Sequence, residues 1–285
     1  IYPIFGSWAW GGLFGGDGWL KALGFIDFAG STVVHSIGGW VAIAGIIVLG
    51  PRLGRFGRKG QSHFLAGHNL PLVALGGFIL WFAWFGFNAA STVAASVSIG
   101  RIALNTHLAA CAAASTYMIL ALLQSKAVLM RHTINASLAG LVAITAGCAT
   151  MSPPFAIITG AIAGFLITFV PQFIEKMQLD DVVDAVTVHG VCGAWGTLAA
   201  GIFFEQALFN LDIILVQALG VGAALIWGFG ASFIMFKFLD KLLGGLRVSQ
   251  QHEQRGLDYT EHAELSYPEF QRDVTFETEN ITHRH

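Results

Sequence analysis

Two stretches decide how this chain is read: DFAGSTVVHSIGGWVAIAGIIVLG at residues 27–50 and DAVTVHGVCGAWGTLAAG at residues 184–201. Each is apolar and rich in small residues, and each carries one histidine near its centre, His35 and His189. An apolar run long enough to cross a bilayer normally excludes ionisable groups, because a charge at mid-membrane costs at least about 2.5–3.5 kcal/mol. Two such groups point to a polar pathway inside a membrane protein. A buried imidazole is neutral, with one donor and one acceptor, so a pair can share a proton and pass it onward. The plainer alternative for each is a buried histidine that donates to a backbone carbonyl.

The composition agrees with that class. Of the 285 residues 55% are hydrophobic and 11% charged, against roughly 25% charged in a soluble domain. The mean hydropathy is +0.66. A net charge of −2 offers no basic face for nucleic acid. The 35 glycines suit close packing of membrane helices. Cys111, Cys148 and Cys192 lie in separate apolar runs, with neither a disulfide framework nor a CxxC metal site.

A bilayer core needs about 20 apolar residues per helix, which gives an all-α, polytopic helical bundle with about seven spans. They are read at roughly 27–49, 70–93, 103–125, 134–151, 154–174, 185–204 and 211–238. Arg52, Arg55, Arg58 and Lys59 follow the first span, Lys126 and Arg131 the third, and Lys176 the fifth. The positive-inside rule makes these loops cytoplasmic, with the chain's start outside and its end inside. From Gly244 the sequence turns polar, dividing the chain into a transmembrane part, 1–243, and a cytoplasmic tail, 244–285. Composition leaves open whether that tail is disordered or docked. The chain begins at Ile1, with no basic start or small-residue cleavage site visible.

Asp27 stands eight residues before His35, about two turns away on nearly the same face, where a carboxylate caps the first amides of a helix. Asp180, Asp181 and Asp184 precede the His189 span and read as helix-start residues too. The aromatic stretches WAWGG (8–12) and LWFAWFGFNAAST (80–92) serve by default as packing or interfacial anchors. The sharper reading is that Trp10, Phe87 and the Ser91 hydroxyl hold a small cation by cation–π attraction and a hydrogen bond. No paired carboxylate or ExxH spacing for a metal centre occurs in the spans, so no catalytic residue, metal or cofactor is assigned.

With these residues the chain resembles the ammonium transporter family (Amt/Mep/Rh), and more closely its Amt branch. DFAGSTVVH, WFGFNAAST, NTHLAACAAAS, AGLVAITAGC and VTVHGVCGAWGTLAAGIF fall in the family's order, and GLDYTEHAELSYP is similar to its carboxy-terminal signature. The resemblance implies that His35 and His189 are hydrogen-bonded twin pore histidines. It implies that Asp27, Trp10 and Ser91 belong to an external recruitment site, with Trp8 as the neighbouring alternative to Trp10, and that Phe87 is one ring of a phenylalanine gate. It places Gly256 and Asp258 in a regulatory tail. Family members have eleven spans with an inverted repeat, so these seven correspond to the fifth through eleventh, without the first four and the gate's other phenylalanine. The implied function is passage of ammonium or ammonia (methylammonium included) through a homotrimer in the cell membrane, contacted by lipid and by a PII-type signal protein. Two alternatives accompany it: an ammonium sensor signalling through its tail, and an inactive truncated transporter.

Overall fold

The computed structural model describes residues 1–12, 15–58 and 60–268. Lys59 and the tail beyond Pro268 lie outside the described residues. The seven expected segments are all helical, preceded by two short helices, α1 (Tyr2–Trp10) and α2 (Trp19–Ala22). They are α3 (Ser31–Leu49), α4 (Leu70–Ala89), α5 (Ser98–Leu123), α6 (Met130–Ile144), α7 (Pro153–Lys176), α8 (Val186–Ile202) and α9 (Leu211–Leu242). The tail adds α10 (Gln250–Arg255) and α11 (Leu257–His262).

Five of these helices, α3, α4, α5, α7 and α9, are long and apolar enough to cross a membrane. The other two correct the expected spans. α6 starts at Met130 and stops at Ile144, not at residue 151, and its 15 residues rise about 22 Å. Beyond it the chain turns, because its backbone is engaged by the approach to α3. Phe28 N–H donates to Ala146 O, Ala29 N–H to Thr145 O, and Ala146 N–H to the Ser31 hydroxyl. α8 likewise ends at Ile202, where Phe209 N–H returns to the Ile202 carbonyl.

The bundle is joined by small residues. Gly160 and Gly164 of α7 lie against the Ala109 and Ala113 carbonyls of α5, where an added Cβ would collide with backbone. Buried polar groups complete the joints. Gln217 of α9, with no exposed surface, accepts from Ile26 N–H at 2.8 Å and donates to the Ile26 and Thr197 carbonyls. α1 packs through Phe5 and Ala9 against a cluster with Leu20, Phe25, Val33 and Ala224.

The loops read as cytoplasmic converge at one end of the bundle. Arg52 and Arg55 after α3 pair with Asp180 and Glu175 near the end of α7. The described tail is docked there. Glu253 accepts from Leu53 N–H and from Arg247, each at 2.8 Å, and Arg247 also donates to the Leu49 carbonyl. Further along, the Tyr267 ring lies 5.6 Å from that of His68, just ahead of α4.

Candidate functional site

The first turn of α3 is built on Asp27. Its two carboxylate oxygens accept four backbone amides, from Gly30 and Ser31 at 2.9 and 2.8 Å and from Thr32 and Val33 at 2.9 and 2.8 Å. The turn that follows, Ser31–Ser36, is a π-turn, and His35 N–H donates to the Gly30 carbonyl five residues back. Gly30 sits at φ 111°, a conformation that glycine alone adopts without strain.

α8 repeats this construction from the opposite end of the bundle. Asp181, eight residues before His189, accepts Ala185 and Val186 N–H at 2.8 and 2.7 Å, and the turn Val186–Val191 is again a π-turn. Of the three aspartates read as helix-start residues only Asp181 caps the helix. Asp180 instead faces Arg52 and Arg55, and Asp184 accepts from Asn135 of α6. For Asp180, burial alone would raise the carboxyl above its ordinary range, but hydrogen bonds from Arg52 outweigh it and hold the group below.

Where α3 and α8 cross, Gly39 meets the Gly190 backbone, and a Cβ on Gly39 would collide with it. This crossing brings His35 and His189 together. Their Nδ1 atoms are 3.2 Å apart and their rings nearly parallel at 16°. A hydrogen bond at that distance requires one Nδ1 to carry a proton and the other to accept, which makes two neutral rings opposite tautomers. His35 Nε2 is buried with no hydrogen-bond partner among the described residues. Trp84 stacks on the His35 ring, 5.0 Å away at 14°, and Phe87 lies 5.3 Å from the same ring.

On the Asp27 side of the pair a hollow opens, lined by Tyr2, Trp10, Ala29, Val34, Phe87 and Ser91. The Trp10 indole donates to the Asp27 carbonyl at 2.7 Å, and Ser91 donates to the Phe87 carbonyl at 2.7 Å, leaving its lone pairs open. Trp8 packs elsewhere, among Phe5, Trp19 and Trp227. The sequence-named residues are therefore linked by neighbouring contacts: Trp10, Phe87 and Ser91 share the hollow, Trp10 bonds the Asp27 carbonyl, and Phe87 adjoins His35, which meets His189. Gly256 and Asp258 lie apart, in the docked tail. Gly256 has φ 98°, and Asp258 accepts Ser266 N–H at 3.1 Å, which holds its carboxyl below the ordinary range.

Three residues escaped the sequence reading. Trp84 and its anchor Thr145, which accepts the indole N–H at 3.0 Å, fix one wall beside His35. The available signal was spacing: Trp84 is three residues before Phe87 and seven before Ser91, one face of a helix. Tyr2 carried no such signal.

Apolar spanning helices, two of which bring a pair of imidazoles together, define a polytopic α-helical membrane protein. The sequence profile of the Ammonium Transporter Family matches residues 1–267, and the chain belongs to that family. It is 42% identical to Ammonium transporter Amt2 of Archaeoglobus fulgidus, over 98% of this chain and 63% of that protein. A putative ammonium transporter of Synechocystis is 41% identical, over 92% of this chain and 50% of that one. Among solved structures, a Sensor Amt protein superposes with a TM-score of 0.87 and 45% identity, covering 91% of this chain and 66% of that chain. Mep2 of Candida albicans gives 0.79 and 26%, covering 88% and 58%. The chain thus spans about half to two-thirds of the length of the relatives it matches. With its apolar spanning helices, it is an integral membrane protein.

Proposed function

We propose that this chain conducts ammonia derived from ammonium across the cell membrane, as a transmembrane unit of residues 1–243 with a cytoplasmic tail, 244–285. The observation that carries the reading is the Nδ1–Nδ1 contact of His35 and His189, walled by Trp84 and Phe87 beneath the aromatic hollow. Ammonium is held outside by the faces of Trp10 and Phe87 and by the Ser91 hydroxyl. Asp27 favours the cation through its charge rather than by contact, since its oxygens are occupied by backbone amides. The ion leaves its proton before the narrow apolar part, where an unpaired charge is costly. Ammonia passes Phe87 and meets the imidazoles, which offer both donor and acceptor and relay the proton.

The basic-loop end is cytoplasmic in this reading, and the docked tail, with Gly256 and Asp258 at its α10–α11 joint, is the regulatory element. A PII-type protein at that end and assembly as a homotrimer complete it. No catalytic residue and no cofactor are assigned.

Uptake of labelled methylammonium in transport-deficient cells tests the proposal, comparing the 285-residue chain with one extended at its amino end to the relatives' length. Uptake by the extended chain, abolished by His35→Ala, is the expected result, and no uptake by either form overturns it. Uptake by the extended form alone identifies the short one as the inactive truncated transporter. The 45% identity to a Sensor Amt protein favours a second reading, a sensor. It requires ammonium-dependent protection of tail amides without flux.

A further inference from the structure

The segment that leads into α8 is fastened from the side by α6. Asn135 Nδ2 donates to Asp184 Oδ2 at 2.8 Å and to the Val183 carbonyl at 3.3 Å. One turn earlier on the same helix, His132 Nδ1 lies 3.9 Å from that Asp184 oxygen. Asp184 itself sits at φ 59°, where a residue with a side chain is strained unless its surroundings hold it. Its carbonyl accepts Val188 N–H at 2.8 Å, and Val188 immediately precedes His189. Two contacts therefore connect the His132 imidazole to the turn that carries His189.

We propose that His132 is a positioning residue for His189, acting through Asp184, and that it tightens its hold when the basic-loop end becomes acidic. The effect on flux rests on the transport reading above, whereas the effect on the α8 turn does not.

The groups facing His132 set the direction. Arg131, on its own helix, places Nη2 3.4 Å from His132 Nε2, and the Tyr117 ring of α5 lies 5.9 Å away. Lys126 and Asp181 line the same cavity of about 610 Å³, as do Arg52, Arg55, Glu175 and Asp180, which pair among themselves. Arg131 opposes a charge on the imidazole, and Asp184 favours it. The ring is neutral at neutral pH and gains its charge as the cytoplasmic side acidifies. A charged ring attracts Asp184 directly, so the pair closes at low pH and relaxes at high pH. With its side chain 26% exposed, His132 is open to protons from solution.

Hydrogen exchange of residues 184–190, corrected for intrinsic rates, tests this in the full-length protein in nanodiscs at about pH 5 and pH 8. The wild type is expected to exchange about two- to fivefold more slowly at the acid pH. His132→Gln removes the difference, and His132→Lys, permanently charged, shows slow exchange at both. Acid-dependent protection persisting in His132→Gln overturns the proposal, as does a wild type with no dependence. Ammonium currents recorded against internal pH form a second arm, in which the wild-type inflection below neutrality vanishes in His132→Gln while current at pH 8 is unchanged. Absence of any wild-type current rejects the transport reading and leaves the exchange arm intact.

Discussion

The Trp84 indole lies within 14° of parallel to the His35 imidazole and 5.0 Å away, while its N–H is given to Thr145, just past the end of α6. The stacking fixes the imidazole plane, and the Thr145 hydrogen bond fixes the stacking partner. Trp84→Leu is expected to free the His35 ring and reduce ammonium current about tenfold in the full-length protein. Trp84→Phe, which keeps a stacking face worth about 0.5–1.5 kcal/mol, should fall between the two. Equal currents in all three would show the wall to be packing alone.

Sharing of one proton between His35 and His189 makes the two rings unequal partners. Replacing either with an apolar residue leaves the other Nδ1 without its partner and would break the proposed relay, so current is expected to drop at least about tenfold. Solid-supported-membrane electrophysiology reads this directly, and undiminished current in either variant removes the relay role.

Asp27 satisfies four amides that the start of α3 would otherwise leave unpaired. Asp27→Ala is expected to cost about 2–4 kcal/mol, because the amides are buried along with the carboxylate. Thermal unfolding in detergent measures the loss, and Asp27→Asn, with one acceptor oxygen, should lie between it and the wild type.

At the other end, the Asp180 carboxylate is 3% exposed and takes Arg52 Nε at 2.7 Å, Nη2 at 2.9 Å and the Arg52 backbone amide at 3.0 Å. Arg52→Ala is expected to cost about 3 kcal/mol by leaving that charge underpaired. Since the folded carboxyl is held below its ordinary value, its stabilisation is complete above about pH 4 and lost only as pH falls through the lower folded value. Unfolding midpoints of wild type and Arg52→Ala should therefore differ most at neutral pH and converge in acid, because the variant's Asp180, left more to burial, takes up its proton before the wild type's does. A gap that closes near neutrality contradicts this.

The helices were legible in the sequence wherever composition and backbone agree, as in α4, α5, α7 and α9. The end of α6 was not, because AITAGCATM at 143–151 stays apolar while its backbone is diverted to Phe28, Ala29 and Ser31. No local pattern reports a partner more than a hundred residues away. For the same reason Asp180 read as a helix start, though its ligand is Arg52. The tail's docking uses partners some two hundred residues away, Glu253 on the Leu53 amide and Arg247 on the Leu49 carbonyl, about which polar composition is silent. Asp27, by contrast, acts within six residues of itself, and its capping role could be read directly. The pairing of the histidines came from resemblance, as spacing alone does not bring two separate helices together.

Both histidine helices open with a π-turn, so each holds an extra residue before its regular α-helix begins. Removing one residue from 31–36 or 186–191 would restore ordinary winding and rotate everything upstream by about 100° against the rest. The imidazoles would no longer meet, although every side chain named for the conduit were still present. Residue number within these two turns, and not only residue identity, is thus under constraint. A single deletion there should be harsher than most substitutions.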